Sequence, residues 1–249
     1  MNLYKLFFFA VLAILYTSCK KETHAPALPD AAGTADLKMK VMLVNNEQHV
    51  EFDQTFTDGA GNVIKITTMK FFVGHIHITG HEGEGLSSYH GHHLIDLSLH
   101  DQVYDLGAIA MGHMHYMNFN IGLDEHAYMQ DPATAGHPFN APGMHFSGMG
   151  YCFFNMEGRV DVDGDGGFDG VEDTAFTLHC GAPDMLREKQ LMVHQDIAAG
   201  STIILPLQLN IADLLNGLDL RNNGMHMGGG EHGAQLMDNL QIAIGMHEH

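Results

Sequence analysis

His75 with His77, and His113 with His115, are spaced His-x-His inside runs that read as strands. That spacing puts both rings on one face of a strand about 6 to 7 Å apart, close enough to share an ion. Further groups are His81 with His90, His92 and His93, then His226 with His232, and His247 with His249. The chain holds 20 His and 17 Met but no Trp, and Met114, Met117, Met144, Met149, Met225 and Met227 stand close to these histidines. Imidazole with thioether is the donor set that suits copper, cuprous copper above all. The competing reading is a histidine-rich surface with no defined site, and a Met stripe is more often core than ligand.

A second constellation is acidic. Asp161, Asp163, Asp165, Gly166 and Glu172 satisfy D-x-D-x-D-G-x5-E, with Asp169 between them. Carboxylates in this pattern converge on calcium because the glycine permits the sharp turn between ligands. Gly150 to Val160 and Ala175 to Cys180 look like strands, so the expectation is a structural calcium loop on a β-hairpin, against the alternative of a solvated acidic turn. Cys152 and Cys180 fall on the two arms of that hairpin. A cross-strand disulfide follows if the register sets them opposite with Cα atoms within roughly 7 Å, and a thiolate copper ligand is the alternative.

Catalytic motifs are missing from the sequence. There is no G-x-S-x-G, H-E-x-x-H, C-x-x-C or glycine-rich phosphate loop. Thirty Asp and Glu stand against eleven Lys and Arg, a formal charge of −19, which argues against a nucleic-acid partner.

The elements that must position these groups are short strands. Leu37 to Leu43 alternates as a half-buried strand, Val63 to Thr79 is rich in β-branched and aromatic residues, and Leu94 to Leu99 and Met111 to Ile121 continue the pattern. Residues 80–93 read as a Gly/His-rich loop, and 124–143, with three X-Pro pairs, as an ordered loop or lid. Leu191 to His194 and Thr202 to Leu209 add strands, and Ile211 to Asn216 one or two helical turns. Leu236, Met237, Leu240 and Ile244 fall at helical spacing. The fold class expected is all-β, an antiparallel β-sandwich with short helical additions near the C-terminus.

The beginning of the chain reads as an export signal. Lys5 precedes the apolar run Leu6 to Leu15, too short to span a bilayer, and Tyr16-Thr17-Ser18-Cys19 resembles a lipobox. Residues 1–18 are then a lipoprotein signal peptide, Cys19 the lipidation site, 19–36 a flexible tether, and 37–249 one domain. The expected location is the periplasm or cell surface, lipid-anchored to the outer membrane; an ordinary secreted protein is the alternative.

Several segments in order resemble the MbnP-like copper-binding proteins, periplasmic or lipid-anchored. They are TMKFFVGHIHI (68–78), HHLIDL (92–97), MNFNIGLD (117–124), GYCFFNMEG (150–158), FTLHCG (176–181), and GAQLMDN (233–239) followed by MHEH (246–249). The resemblance implies a β-sandwich that binds copper, is not an enzyme, and works with copper donor or acceptor proteins of the envelope. Its F-x-x-H-x-G element lands on Phe176, His179 and Gly181 and makes His179 the first choice of ligand. Members of the family commonly carry Trp just before the Gly-Tyr pair, one of which can become kynurenine through a di-haem MauG-type partner. This chain has His145 and Ser147 there, so that modification does not carry over. His145 is then expected to supply an imidazole in place of the indole, with Met144 or Met149 as a soft third ligand. A metal-dependent periplasmic oxidoreductase, superoxide dismutase-like, and a His-rich structural surface lipoprotein are the alternatives.

Overall fold

A computed structural model describes residues 33–99 and 101–247. In chain order the first half contains β1 (Thr34–Asn45), β2 (Gln48–His49), β3 (Thr55–Thr57), β4 (Val63–Gly80), β5 (Gly85–Asp96), β6 (Val103–Ala110) and β7 (Gly112–Ile121). Then follow α1 (Glu125–Tyr128), α2 (Pro132–Ala135), β8 (His145–Phe146), β9 (Gly150–Tyr151), β10 (Phe154–Val160), β11 (Thr174–Cys180), β12 (Arg187–Ile197) and β13 (Thr202–Asn210). The last part holds α3 (Ile211–Leu214), α4 (Leu220–Asn223), β14 (Met225–Gly228), α5 (Glu231–Ala243) and β15 (Ile244–Met246). The signal peptide, Cys19, most of the tether and His249 lie outside the described residues.

Two sheets carry the fold, as the strand-rich sequence predicts. The larger has eight strands in the order β12-β7-β4-β10-β11-β14, with β3 and β5 also on β4, and the smaller runs β15-β13-β1-β2 with β6 on β1. Apolar residues of both fill one core, among them Leu37 and Met39 of β1, Phe71 and Phe72 of β4, Met117 of β7, Phe154 of β10 and Leu207 of β13. The sandwich is not purely antiparallel, because β1 pairs with β13, and β11 with β14, in parallel. The first strand begins at Thr34, three positions ahead of the expected boundary at Leu37.

The organising strand is β4, 18 residues long. Its first half pairs with β10 and β3, its second with β5 and β7. This second half explains the one large departure from the sequence reading. Residues 85–93 are not loop but strand: Tyr89 lies opposite Ile76, His92 opposite Gly74 and His93 opposite Val73. Gly, His and Ser have no preference of their own for a strand, but the open edge of β4 and the burial of Leu86 and Leu94 impose it. Sequence also missed β6, β14 and β15. The C-terminal helix is α5, whose Leu236, Met237, Leu240 and Ala243 are buried as their spacing predicts, while Ile244 already begins β15.

Candidate metal centre

Strand alternation should carry His75 and His77 to one face. A bulge prevents it: the β4–β5 ladder slips between Gly74 and Ile76, and the β4–β7 ladder between Gly74 and His77. His75 sits in this slip with φ 50°, a left-handed conformation uncommon outside glycine. Bulges re-aim side chains, and here the imidazole turns to Asp124, its Nε2 2.6 Å from Oδ2.

His92 reaches the same carboxylate from the neighbouring strand. It faces Gly74 across the β4–β5 ladder, its ring is 5.2 Å from that of His75, and its Nε2 is 3.4 Å from Asp124 Oδ2. That contact is not aligned as a hydrogen bond, so the buried Nε2 of His92 has no hydrogen-bond partner. Burial pushes the imidazole down to about 4, against the pull of Asp124, which keeps it neutral and able to donate a lone pair near neutrality.

Asp124 is fixed by the start of α1, where its Oδ1 accepts the Ala127 N–H at 3.0 Å as the N-cap. Oδ2 is left for the two imidazoles. Burial raises the carboxyl, but the Ala127 N–H and the two histidines outweigh it and hold the group below the usual carboxylate range. Phe139, in the segment between α2 and β8, packs beside His92, its ring 5.7 Å away, and is stacked on Phe72 at 6.1 Å. This is the segment that sequence reads as a lid.

Donor atoms of His75, His92 and Asp124 lie within 4.8 Å of one another. Two bonds of about 2.0–2.1 Å to a tetrahedral ion set donors roughly 3.3 Å apart, so the set fits a first-row ion once the His75–Asp124 contact opens by under an ångström. An ion would also satisfy the orphaned His92 nitrogen. Two imidazoles and a carboxylate are harder donors than imidazole with thioether, and they suit a divalent ion, Cu(II) included, better than Cu(I). Sequence reasoning missed this trio by placing His92 in a loop and giving Asp124 no role.

The other expected ligands lie elsewhere. His77 Nδ1 meets Ser88 Oγ at 2.8 Å, outside the trio. His113 and His115 stand at the far end of β7 from Asp124, and His247 Nδ1 lies 3.1 Å from Gln208 Oε1. His145 and His179 do not converge: His145 is exposed with its ring 4.8 Å from Tyr151, whereas buried His179 stacks on Phe146 at 4.5 Å and meets Glu157 Oε1 at 2.7 Å. They belong to no group of three donors among the described residues. Met144, Met114 and Met117 are fully buried in the hydrophobic core, and Met149 packs against it. The histidine-adjacent methionines at these positions are core filling.

The acidic loop joins β10 and β11 as expected. Asp161, Asp163 and Asp165 converge, while Asp169 and Glu172 are exposed and outside the group. Asp161 accepts N–H groups of Gly164 and Gly166, both at positive φ. Buried Asp173, which sequence did not single out, accepts from Val162 and Gly170 and closes the loop.

The expected disulfide is not formed in the structure, although the two cysteines are neighbours. Cys180 pairs with Phe154, so Cys152 lies two residues beyond it, and both stand as free, buried thiols. Burial pushes both thiols up, Cys180 to about 12.

A family model described as MbnP matches residues 34–231. Among solved structures, MbnP from Methylosinus trichosporium superimposes with a TM-score of 0.52 at 12% identity, over 79% of this chain and 82% of that one, which shows a shared fold. No curated protein matches.

Proposed function

The chain belongs to the MbnP family, and on that premise we propose that it is a copper-binding protein of the cell envelope whose principal site is His75, His92 and Asp124. The family supports a methanobactin-associated, copper-related role, and the convergence of the three donors around the buried, unpartnered His92 nitrogen is the observation that selects the site. Bound there, copper would be held by two imidazoles and one carboxylate. The role is to capture, buffer or hand on the metal to other envelope proteins.

The lipobox-like Tyr16 to Cys19 supports lipid anchoring, and the D-x-D-x-D-G-x5-E spacing supports calcium in the hairpin turn. With no Trp ahead of Gly150, the proposal includes no kynurenine and needs no di-haem partner.

The test is Cu(II) affinity by chelator competition for the wild type, His92→Gln and Asp124→Asn, with calcium present. Each substitution is expected to weaken the tightest site at least tenfold, on the order of 1.4 kcal/mol. Wild-type affinity in both variants would sink the assignment. Superoxide turnover by the copper form would favour the oxidoreductase reading instead.

A further inference from the structure

At the opposite end of β7 from Asp124, β12 carries a bulge. Asp196 pairs with His113 and Gln195 with Met114, but the next pair is Met192 with Tyr116. Two residues of β12, Val193 and His194, therefore stand against the single residue His115 of β7. Val193 is buried in the core and His194 is exposed. The extra residue brings His194 among histidines that strand alternation alone would not deliver to it.

The resulting cluster contains four imidazoles. His113 Nε2 lies 3.5 Å from His194 Nδ1, the His194 ring is 5.1 Å from that of His115, and His115 is 5.0 Å from His81, which follows the end of β4. His113 is oriented by a carboxylate, its Nδ1 standing 2.7 Å from Asp196 Oδ1. That contact directs the other nitrogen, Nε2, at His194. Histidines bound to metals commonly donate their second N–H to a carboxylate in this way. The Nδ1 of His115 is buried and has no hydrogen-bond partner.

We propose that His113, His194 and His115 form a second metal site, at the surface and separate from the principal one, which takes an imidazole-preferring divalent first-row ion such as Zn(II) or Cu(II). The separation of 3.5 Å between His113 Nε2 and His194 Nδ1 is about that of two nitrogens bonded at roughly 2.05 Å to one tetrahedral ion, and long for an N–H···N bond. The three donors do not all lie within 4.8 Å of one another as the rings stand, so binding requires the His115 ring, 5.1 Å from that of His194, to turn towards the pair. Asp196 is a positioning residue: it holds the tautomer and direction of His113 and does not itself bind the ion. Exposure of His113 and His194 suits exchange with a metal carrier.

The test is equilibrium dialysis of the full chain against Zn(II), with millimolar calcium to occupy the acidic loop. It compares the wild type with His113→Ala/His194→Ala, Asp196→Asn and His92→Gln. The double variant is expected to lose about one equivalent and His92→Gln a different one, so the two sites fail separately. Asp196→Asn should retain the stoichiometry but weaken that equivalent about tenfold. Because His113, His194 and Asp196 are exposed, circular dichroism should be unchanged; if the double variant misfolds, broadening of the His113 and His194 ring resonances by substoichiometric Cu(II) in His92→Gln, which lacks the principal site, decides the matter. An unchanged Zn(II) stoichiometry in the folded double variant, or no such broadening, overturns the second site.

Discussion

The backbone of Gly74 lies directly against the His92 imidazole: a Cβ at position 74 would come within 2.4 Å of His92 Cδ2 and 2.8 Å of Nε2. The missing side chain on β4 therefore makes the space in which a ring from β5 reaches Asp124. Gly74→Ala leaves all three donors in the sequence and disturbs only their placement. Its Cβ would also meet the Gly91 carbonyl at 2.9 Å, so the ring must move. The expected result is at least tenfold weaker binding at the principal site, on the order of 1.4 kcal/mol, with the second site untouched. Chelator competition reads the first and Zn(II) stoichiometry the second; wild-type copper affinity in Gly74→Ala would show that His92 does not need this space.

The same burial makes the metal-free protein sensitive to acid. His92 is pushed down to about 4 from an ordinary 6.5. A base whose folded pKa lies below its unfolded value stabilises the fold fully above about pH 6.5, and that stability is withdrawn as the pH falls towards 4, because the unfolded chain takes up the proton first. Asp124, held below the usual carboxylate range, contributes stability that is lost at still lower pH. In thermal melts with chelator present, the midpoint of His92→Gln should fall less steeply than that of the wild type between pH 6.5 and 4. Parallel curves would remove His92 from the acid response.

Calcium should act on the turn between β10 and β11. If Asp161, Asp163 and Asp165 hold the ion, calcium at a hundredfold over its dissociation constant adds about 2.7 kcal/mol. For a chain of this size that is roughly 5 to 10 °C in the thermal midpoint. Asp161→Asn/Asp163→Asn should abolish the calcium-dependent shift while leaving copper affinity unchanged. No calcium-dependent shift in the wild type would leave the loop a solvated turn.

How legible the fold was depended on periodicity. The runs that became β1, β4, β7 and β13 alternate or are densely apolar, and α5 shows its buried stripe, so local pattern and tertiary demand agree. The strand β5 was hidden because GLSSYHGHHLID has no strand preference beyond its last residues; it is a strand because β4 needs a partner. The candidate centre was hidden for a related reason. His-x-His spacing argues correctly for an unbroken strand, but register slips of one residue at His75 and at Val193–His194 regroup the histidines, and no spacing rule announces a bulge. In the acidic loop the convergence of Asp161, Asp163 and Asp165 was readable from local spacing, whereas Asp169 and Glu172 stay outside the group and Asp173, which the spacing did not mark, closes the loop.

The sharpest contrast between the two ways of choosing ligands is the pair His145 and His179. The family resemblance makes them copper ligands, whereas in the fold His179 is packed between Phe146 and Glu157 and His145 sits outside beside Tyr151. A ligand and a packed polar residue differ in what their loss does. Removing a ligand lowers affinity and barely moves the metal-free fold; removing a buried, hydrogen-bonded ring leaves a cavity and an unpaired partner, typically about 2 to 4 kcal/mol. His179→Ala is therefore expected to lower the thermal midpoint of the metal-free protein by roughly 4 to 16 °C, and His145→Ala to leave it unchanged. The double variant, assayed below its melting range, should retain wild-type copper affinity within twofold. A loss of tight copper binding at unchanged stability would move the principal site from His75, His92 and Asp124 to the face of β11, and the orphaned Nδ1 of His179 would be the nitrogen that binds the metal.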